Sequence, residues 1–153
     1  MRIEQKLASL GITLPPPTAP VGSFVPAVRT GNLLFVSGHA SLGEDSPLTG
    51  KVGRDVTVEQ AAQAARQVAI DLLGTVAGAL KDLDHVSRIV KLLGMVNSAE
   101  DFTEQPKVIN GASNLLIEVF GERGKHARSA IGVAQLPANA SVEIEMILEI
   151  AEG

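Results

Sequence analysis

The chain of 153 residues contains no cysteine, no tryptophan and no tyrosine, and phenylalanine occurs only four times. Without cysteine there can be no disulfide, no thiolate metal site and no cysteine nucleophile. Without tryptophan and tyrosine there is no phenolic acid, and there are few rings on which nucleic-acid bases could stack. Any catalysis must therefore rely on Arg, Glu, His, Ser, Lys or the backbone.

A basic excess and a long apolar segment are also absent. The net charge is −4, whereas proteins that bind nucleic acid usually present a basic stripe. No apolar run reaches the roughly 18 residues of a membrane-spanning helix, and the N-terminal sequence lacks the pattern of a signal peptide. We therefore expect a soluble, cytoplasmic protein whose partners are neither nucleic acid nor membrane.

The composition predicts a single domain. Hydrophobic residues make up 45% of the chain and charged residues 20%, which is typical of a compact chain with an ordinary core. We expect one domain over residues 1–153, in which 1–20 form an N-terminal helix and an extended arm and 21–153 form the core.

Hydrophobic periodicity predicts the order of helices and strands. Gly31-Asn32 indicates a hairpin because both residues accept positive φ, and Thr57 with Gln60 is typical of a helix capping box. The predicted helices span 2–10, 57–81 and 106–120, and the predicted strands span 24–29, 33–38, 51–54, 89–96, 127–135 and 141–150, with a loop over 43–50. This is an α+β fold, a βββαβαββ mixed sheet with two helices on one face.

Two helices can cover only one face of such a sheet. Leu93, Met95 and Ile147 are apolar, yet their positions in the predicted strands direct them to the uncovered face. A large exposed apolar surface is typical of a contact with another chain. We therefore expect a partner chain to cover this face.

The last two predicted strands carry the residues best suited to chemistry. Side-chain alternation places His126, Arg128 and Ala130 on one face and assigns Ile131 and Val133 to the core side. The same rule sends Glu143, Glu145 and Glu149 to the face that carries Arg128. A guanidinium matches a carboxylate, and a nearby Glu could hold or deprotonate a water. A cross-strand Arg–Glu ion pair on a solvated face is an equally simple interpretation at this point.

Four segments, in the same order, resemble one known family. They are TGNLLFVSGH, PLTGKVGRDVTVEQAAQA, DFTEQPKVINGASNLLIEVFG and the closing ARSAIGVAQLPANASVEIE. The closing motif of Arg, small residues, Leu-Pro and Val-Glu-Ile-Glu is the most specific of them. Over roughly residues 20–150 the chain resembles the reactive-intermediate deaminase family (RidA, also called YjgF), formerly named L-PSP endoribonucleases.

The resemblance implies a chorismate-mutase-like fold assembled as a homotrimer, with ligand sites in clefts between subunits. Family members that carry the Arg hydrolyse enamines and imines formed by pyridoxal-phosphate enzymes, and they release ammonia and a 2-keto acid. They need no metal or organic cofactor. The implied function is hydrolysis of reactive 2-imino or enamino acids.

The resemblance also implies roles for single residues. Arg128 would grip the substrate carboxylate, Glu143 would hold the attacking water, and Ser37 with Gly38 would line the pocket. Further pocket candidates are Phe24, where many relatives have Tyr, Ala130, where many have Cys, and Asn110, whose spacing from the preceding motif differs from that of relatives. These departures are typical of a divergent branch with an altered substrate preference.

Other residues give weaker signals. His126 is a substrate-binding candidate because of its strand face, and a solvated strand end is the alternative. His39 is either a pocket or a structural residue, His85 is expected in solvent, and the histidines lack metal-ligand spacing. Ser113 and Asn114 are interpreted as polar-face residues of a helix.

Two alternatives to the deaminase remain. One is a non-catalytic trimer that binds small carboxylates or acts as a regulatory or holdase module. The other is an endoribonuclease, which the acidic charge balance disfavours.

Overall fold

The computed structural model describes residues 2–17, 22–42 and 49–151. Within them the helices are α1 (Ile3–Ser9), α2 (Val58–Leu80) and α3 (Gln105–Phe120), and the strands are β1 (Ala27–Thr30), β2 (Leu33–Ala40), β3 (Val86–Asn97), β4 (Ala127–Val133) and β5 (Val142–Ile150). None of the described helices is long and apolar enough to cross a bilayer. Most of the predicted loop over 43–50 lies outside the described residues.

The strands form a single mixed sheet in the order β1-β2-β5-β3-β4. β3 and β4 run parallel, and the other neighbours are antiparallel. α2 and α3 pack on one face of this sheet, so the α+β class, the mixed sheet and the two covering helices are confirmed. β4 lies at one edge, so one side of its backbone has no neighbouring strand among the described residues.

The predicted strand over 51–54 is wrong. Val52 forms only isolated bridges, with Val56 and Ser98. The carbonyl of Lys51 accepts bonds from the amides of three residues over 54–56, and Gly53 adopts a φ of 95°. The segment therefore folds into a turn, and the described elements follow the order ββαβαββ once α1 is set aside.

The predicted turn and capping signals are confirmed. Gly31 has a φ of 58° in the two-residue turn between β1 and β2. At the start of α2 the Thr57 hydroxyl accepts from the Gln60 amide at 3.1 Å, and the Gln60 side chain accepts from the Thr57 amide at 2.9 Å. Gly121, with a φ of 63°, ends α3.

The sheet face under α2 and α3 forms the hydrophobic core, and we call it the covered face. Its sheet residues include Leu92, Val96, Ile144, Met146 and Leu148, each 1% exposed or less. The two helices approach closely at Gly111, where a Cβ would collide with the backbone carbonyl of Ala62. The small residues of α2 therefore permit tight helix packing, as the alanine-rich pattern predicts.

The N-terminal segment is attached to the same side of the molecule. Ile3 and Leu7 of α1 join the core, and Arg2 forms an ion pair with Asp82 at 2.6 Å. The arm after α1 runs along α2, because a Cβ on Gly74 would lie 2.5 Å from the carbonyl of Pro15. Glycine at this position lets the arm contact the helix directly.

The opposite face, here called the open face, carries no helix among the described residues. Val28, Phe35 and Ile131 are exposed there to 53%, 42% and 44%. Leu93, Met95 and Ile147 lie between them in the ladder, as predicted. A recess of about 370 Å³ opens on this face, lined mainly by Phe35, Lys91, Leu93, Ser129, Glu145 and Ile147.

Candidate functional site

Arg128 lies on the covered face of β4, near the sheet edge. In the ladder Leu92 pairs with Arg128 on one side and with Met146 on the other, and paired residues share a face. Met146 is buried in the core, so Arg128 points towards the helices. The prediction that Arg128 shares a face with Glu143 is therefore wrong.

The error arose from the assignment of the core side of β4. Ile131 and Val133 were expected in the core, but Ile131 is 44% exposed. Ala130, by contrast, packs against the core cluster. At an edge strand a small residue can face the core because the covering helix approaches closely there, and apolar content alone then misassigns the two faces.

Two groups of α3 hold the Arg128 side chain. Its Nη1 donates to the Ser113 hydroxyl at 3.0 Å, and its Nη2 donates to the Pro106 carbonyl at 3.2 Å. No carboxylate among the described residues forms an ion pair with Arg128. The alternative of a cross-strand Arg–Glu pair is therefore wrong for the described part of the chain. A guanidinium has five N–H donors, so three remain for a ligand.

His126 belongs to the same cluster. Its Nδ1 lies 2.6 Å from the Gly124 carbonyl and its Nε2 lies 2.9 Å from the Ser113 hydroxyl. A carbonyl can only accept, so Nδ1 carries the proton, and in the neutral ring Nε2 accepts from Ser113. His126 thus shares the side of Arg128, as predicted, and both of its ring nitrogens are engaged within the chain.

Asn110 lies on the stripe of α3 that faces Arg128. Positions 106, 110 and 113 are spaced by four and three residues, so they follow one another along a helix face. Asn110 is exposed, and it stands between the two residues that bond the guanidinium. We call Arg128, Ser113 and His126 the Arg128 cluster, and Asn110 borders it.

Glu143 lies on the open face. It pairs with Ala40 of β2 and with Met95 of β3. Its neighbour across the sheet is Gly38, because a Cβ built there would lie 2.6 Å from a carboxylate oxygen of Glu143. Glycine at position 38 therefore leaves the space that the carboxylate occupies.

The surroundings of Glu143 favour its protonated form. Partial burial raises the pKa of Glu143 above its ordinary value, and the negative charge of Glu145 raises this pKa further. The ring of His39 acts in the opposite direction and lowers it. A carboxyl group with a raised pKa is a stronger base than an ordinary one once it is ionised.

Ser37, Gly38 and His39 occupy an irregular part of β2. The pairing of β2 with β5 shifts between Val36 and His39, and the Ser37 hydroxyl donates to the Val25 carbonyl at 2.7 Å. His39 bonds through Nδ1 to the Ser37 carbonyl and through Nε2 to the Thr75 hydroxyl. These bonds fit the structural interpretation of His39. We call Glu143, Ser37 and Gly38 the Glu143 cluster.

The candidate residues thus divide between two places in the chain. The Arg128 cluster and Asn110 lie where β4 meets α3, with Ala130 two residues along the strand. The Glu143 cluster lies on the other face of the sheet. Phe24, 50% exposed, precedes β1, and its ring lies close to Gly22. No group of acidic and histidine side chains in the described ranges could hold a metal ion.

Ser113 is the site residue that the sequence interpretation missed. It is only 7% exposed, although it was assigned to the polar face of its helix. The signal was present, because Ile109, Ala112 and Leu116 form an apolar stripe and position 113 adjoins it. A polar residue beside a buried stripe usually has a hydrogen-bonding reason to be there.

Comparisons with known proteins identify the family of the chain. The family described as YjgF/chorismate mutase-like, putative endoribonuclease, matches residues 4–150. Protein TCP17 of Trypanosoma cruzi is 44% identical over 151 residues, which cover 97% of this chain and 94% of that protein. The 2-iminobutanoate/2-iminopropanoate deaminase of Dermatophagoides farinae is 29% identical over 141 residues, covering 91% of this chain and 94% of that protein.

The fold has close matches among solved structures. The crystal structure of protein Atu1372 of Agrobacterium tumefaciens, described as of unknown function, has a TM-score of 0.88 and 48% identity, and the match covers 98% of this chain and 92% of that one. The match extends over α1, the sheet and both long helices. The chain therefore belongs to the RidA/YjgF family, and its five-stranded α+β sheet fits the chorismate-mutase-like fold of that family.

Proposed function

We propose that this protein hydrolyses reactive 2-imino and enamino acids to 2-keto acids and ammonia, in clefts between the subunits of a homotrimer. The observation that carries the proposal is the state of Arg128. It is half-buried, held by neutral groups of α3, and without a carboxylate partner among the described residues. A partly desolvated cation of this kind is stabilised by an anionic ligand.

The remaining donors of Arg128 suit a substrate carboxylate. A planar guanidinium can bind both oxygens of a carboxylate at once, which fixes the orientation of the atoms attached to it. In a 2-imino acid the reacting C=N carbon is bonded directly to that carboxylate. The grip therefore positions the carbon that water attacks.

Glu143 is proposed to accept a proton from the attacking water. Water adds to the imine carbon and loses a proton to the carboxylate, while the nitrogen takes up a proton and becomes an amine. Collapse of this carbinolamine breaks the C–N bond, releases ammonia and forms the C=O of the keto acid. The raised pKa of Glu143 favours the uptake of the proton from water.

The two clusters must come from different chains to act on one substrate. Within a chain the sheet separates Arg128 from Glu143. The exposed apolar residues of the open face also favour contact with further copies of the chain. A closed ring of three copies would bury these faces and place β4 of one chain beside β5 and β2 of the next.

Mixing of two inactive variants tests the activity and the shared site together. Arg128→Ala and Glu143→Gln are each expected to lower the hydrolysis of 2-iminobutanoate, made in situ by an amino-acid oxidase, by about 100-fold or more. When both variants are unfolded and refolded together at equal amounts, about one quarter of the sites regain both groups. Release of 2-keto acid should then recover to about a quarter of the wild-type rate.

The control is each variant refolded with itself, which should stay inactive. A mixed sample no more active than its parents would contradict a site shared between chains. A wild-type protein that does not accelerate the hydrolysis of short, branched or aromatic imines would contradict the deaminase itself.

A second function is favoured by two residues. Phe24 and Ala130 carry neither an acid, a base nor a nucleophile, and Phe24 is half exposed. A trimer with these residues could bind small carboxylates without turnover and act as a regulatory or holdase module. Saturable binding of 2-oxobutanoate with no hydrolysis of any imine would establish this alternative.

A further inference from the structure

We propose that Ser113 is a positioning residue, held by His126, that fixes the Arg128 guanidinium for the substrate carboxylate. The proposal deepens the function above and rests on it, because it concerns the same carboxylate. Neither Ser113 nor His126 needs to touch the substrate. Their effect passes through the hydrogen bonds of the Arg128 cluster.

Two groups of α3 anchor the guanidinium of Arg128. The Ser113 hydroxyl and the Pro106 carbonyl bind the two terminal nitrogens of Arg128 at 3.0 Å and 3.2 Å. Two contacts on different nitrogens define the plane of a guanidinium, whereas one contact leaves it free to rotate. A long side chain held in this way loses little further entropy when it binds a ligand.

The hydrogen bonds of Ser113 and His126 have a defined direction. The Gly124 carbonyl accepts from Nδ1 of His126, so Nε2 of the neutral ring is an acceptor. The Ser113 proton therefore points to His126, at 2.9 Å. This leaves the oxygen lone pairs of Ser113 for Arg128. His126 thus keeps the hydroxyl in the orientation that accepts from the cation.

Burial of the Ser113 hydroxyl strengthens its hydrogen bonds. Ser113 is 7% exposed, and no buried polar side-chain atom among the described residues lacks a partner. Water has little access to the hydroxyl, so its bonds to His126 and Arg128 are stronger than surface bonds. The cluster is anchored on α3, a regular helix, which makes the position of the guanidinium reproducible.

Removal of the hydroxyl tests the proposal. Ser113→Ala should raise the KM for 2-iminobutanoate and the Kd for 2-oxobutanoate about tenfold. The kcat should change by less than the KM, because the Pro106 carbonyl still holds the guanidinium and keeps the reacting carbon in place. Ser113→Thr, which keeps the hydroxyl, should restore both constants, and His126→Phe should give a smaller rise of the same kind.

Ser87→Ala is the control, since it removes a partly buried hydroxyl that bonds within the chain and does not belong to the Arg128 cluster. Trimer formation and thermal unfolding should be measured for every variant, to separate loss of folding from loss of binding. A double-variant cycle with Arg128→Lys adds a direct test. A lysine ends in a single nitrogen and has no plane for two anchors to fix, so Ser113→Ala should weaken 2-oxobutanoate binding less in that background.

A spectroscopic test does not depend on activity. In the ¹⁵N-resolved spectrum of neutral His126, Nδ1 should carry the proton and Nε2 should not. Protonation at Nε2 instead would overturn the proposal. A KM and a Kd that do not change between wild type and Ser113→Ala would overturn it as well.

The failure of the function and the failure of the positioning role are distinguishable. A wild type that binds 2-oxobutanoate without turnover, and binds it more weakly after Ser113→Ala, would reject the deaminase and keep the role of Ser113. Normal turnover with unchanged constants in Ser113→Ala would reject the role alone. A wild type that neither binds nor turns over would reject both.

Discussion

The two faces of the sheet differ in what they hold. On the covered face the side chains of β3 and β5, such as Leu92 and Ile144, are fully buried under α2 and α3. On the open face apolar side chains such as Phe35 and Ile131 are more than one third exposed, and they stand beside charged residues such as Glu145. The first face supplies the stability of a single chain. The second has the composition of a surface for other copies of the chain.

The same division applies to the candidate site. Arg128 emerges at the edge of the covered face and is bonded to α3, so its position is set by the folding of one chain. Glu143 stands on the open face beside Gly38, so in the proposed trimer the contacts between chains determine what it meets. Folding of one chain and the proposed assembly would each fix one half of the proposed chemistry. Variants that affect one face of the sheet without the other can therefore test this division.

The largest effect is expected from a charge on the open face. Leu93 lies half-buried in the recess of this face, next to Glu145 in the ladder. Leu93→Asp should abolish the proposed trimer, because a buried carboxylate beside another carboxylate is strongly unfavourable at an interface. The chain should remain folded as a monomer and lose imine hydrolysis. Sedimentation velocity and circular dichroism measure the two properties.

Ile117→Asp is the matched control for Leu93→Asp. Ile117 is 38% exposed on α3, away from the sheet, and the same substitution there should leave assembly intact. A Leu93→Asp protein that sediments like the wild type would contradict the assignment of the open face to the interface.

A smaller but still large effect is expected where the helices of the covered face meet. A Cβ on Gly111 would collide with the backbone carbonyl of Ala62, and a backbone atom cannot move aside as a side chain can. Gly111→Ala gains about 1 kcal/mol of helix propensity but costs about 3 kcal/mol or more in overpacking. The free energy of unfolding should therefore fall by about 2 kcal/mol, measured by urea denaturation.

Asn114→Ala separates the two contributions to the Gly111 result. Asn114 is exposed on the same helix, so its substitution changes propensity without a collision and should stabilise slightly, by about 0.5 kcal/mol. A Gly111→Ala protein as stable as this control would mean that α2 and α3 can separate at no cost.

Local patterns were enough to predict most of the fold. The capping box at Thr57, the turn at Gly31 and the stop at Gly121 depend only on residues close in sequence, and each lies where it was predicted. The segment 51–54 was mistaken for a strand because its geometry depends on Lys51, whose carbonyl accepts three local amides. Four residues with a single large apolar side chain do not distinguish a strand from such a turn.

The candidate site was predicted in part. The residues around Arg128 were found through their motif and their strand, but the face of β4 was assigned wrongly. Which side chains of an edge strand face the core is a property of packing rather than of apolar alternation, and here the small residue Ala130 packs against the core. The burial of Ser113 could have been inferred from the adjoining apolar stripe, but its partners Arg128 and His126 lie outside α3 and could not.

The subtlest difference between the faces concerns the charge of Glu143. Partial burial and the charge of Glu145 raise its pKa above the ordinary value of 4.5. The folded protein therefore holds the proton of Glu143 more tightly than the unfolded chain does. This contribution to stability is fully present below about pH 4.5 and is lost as the pH rises through the raised value. Above that pH Glu143 is a partly buried negative charge beside the negative charge of Glu145.

Glu143→Gln tests this sign, because glutamine keeps the shape of the protonated acid and cannot ionise. The unfolding free energy of the variant minus that of the wild type should increase between pH 4 and pH 7 and then level off, as followed by urea denaturation. Glu118→Gln, at an exposed position on α3, measures the effect of removing one negative charge. A difference for Glu143→Gln that fell with rising pH would mean that an unseen cation stabilises the carboxylate, and Glu143 would then be a poor candidate for the base that serves the water.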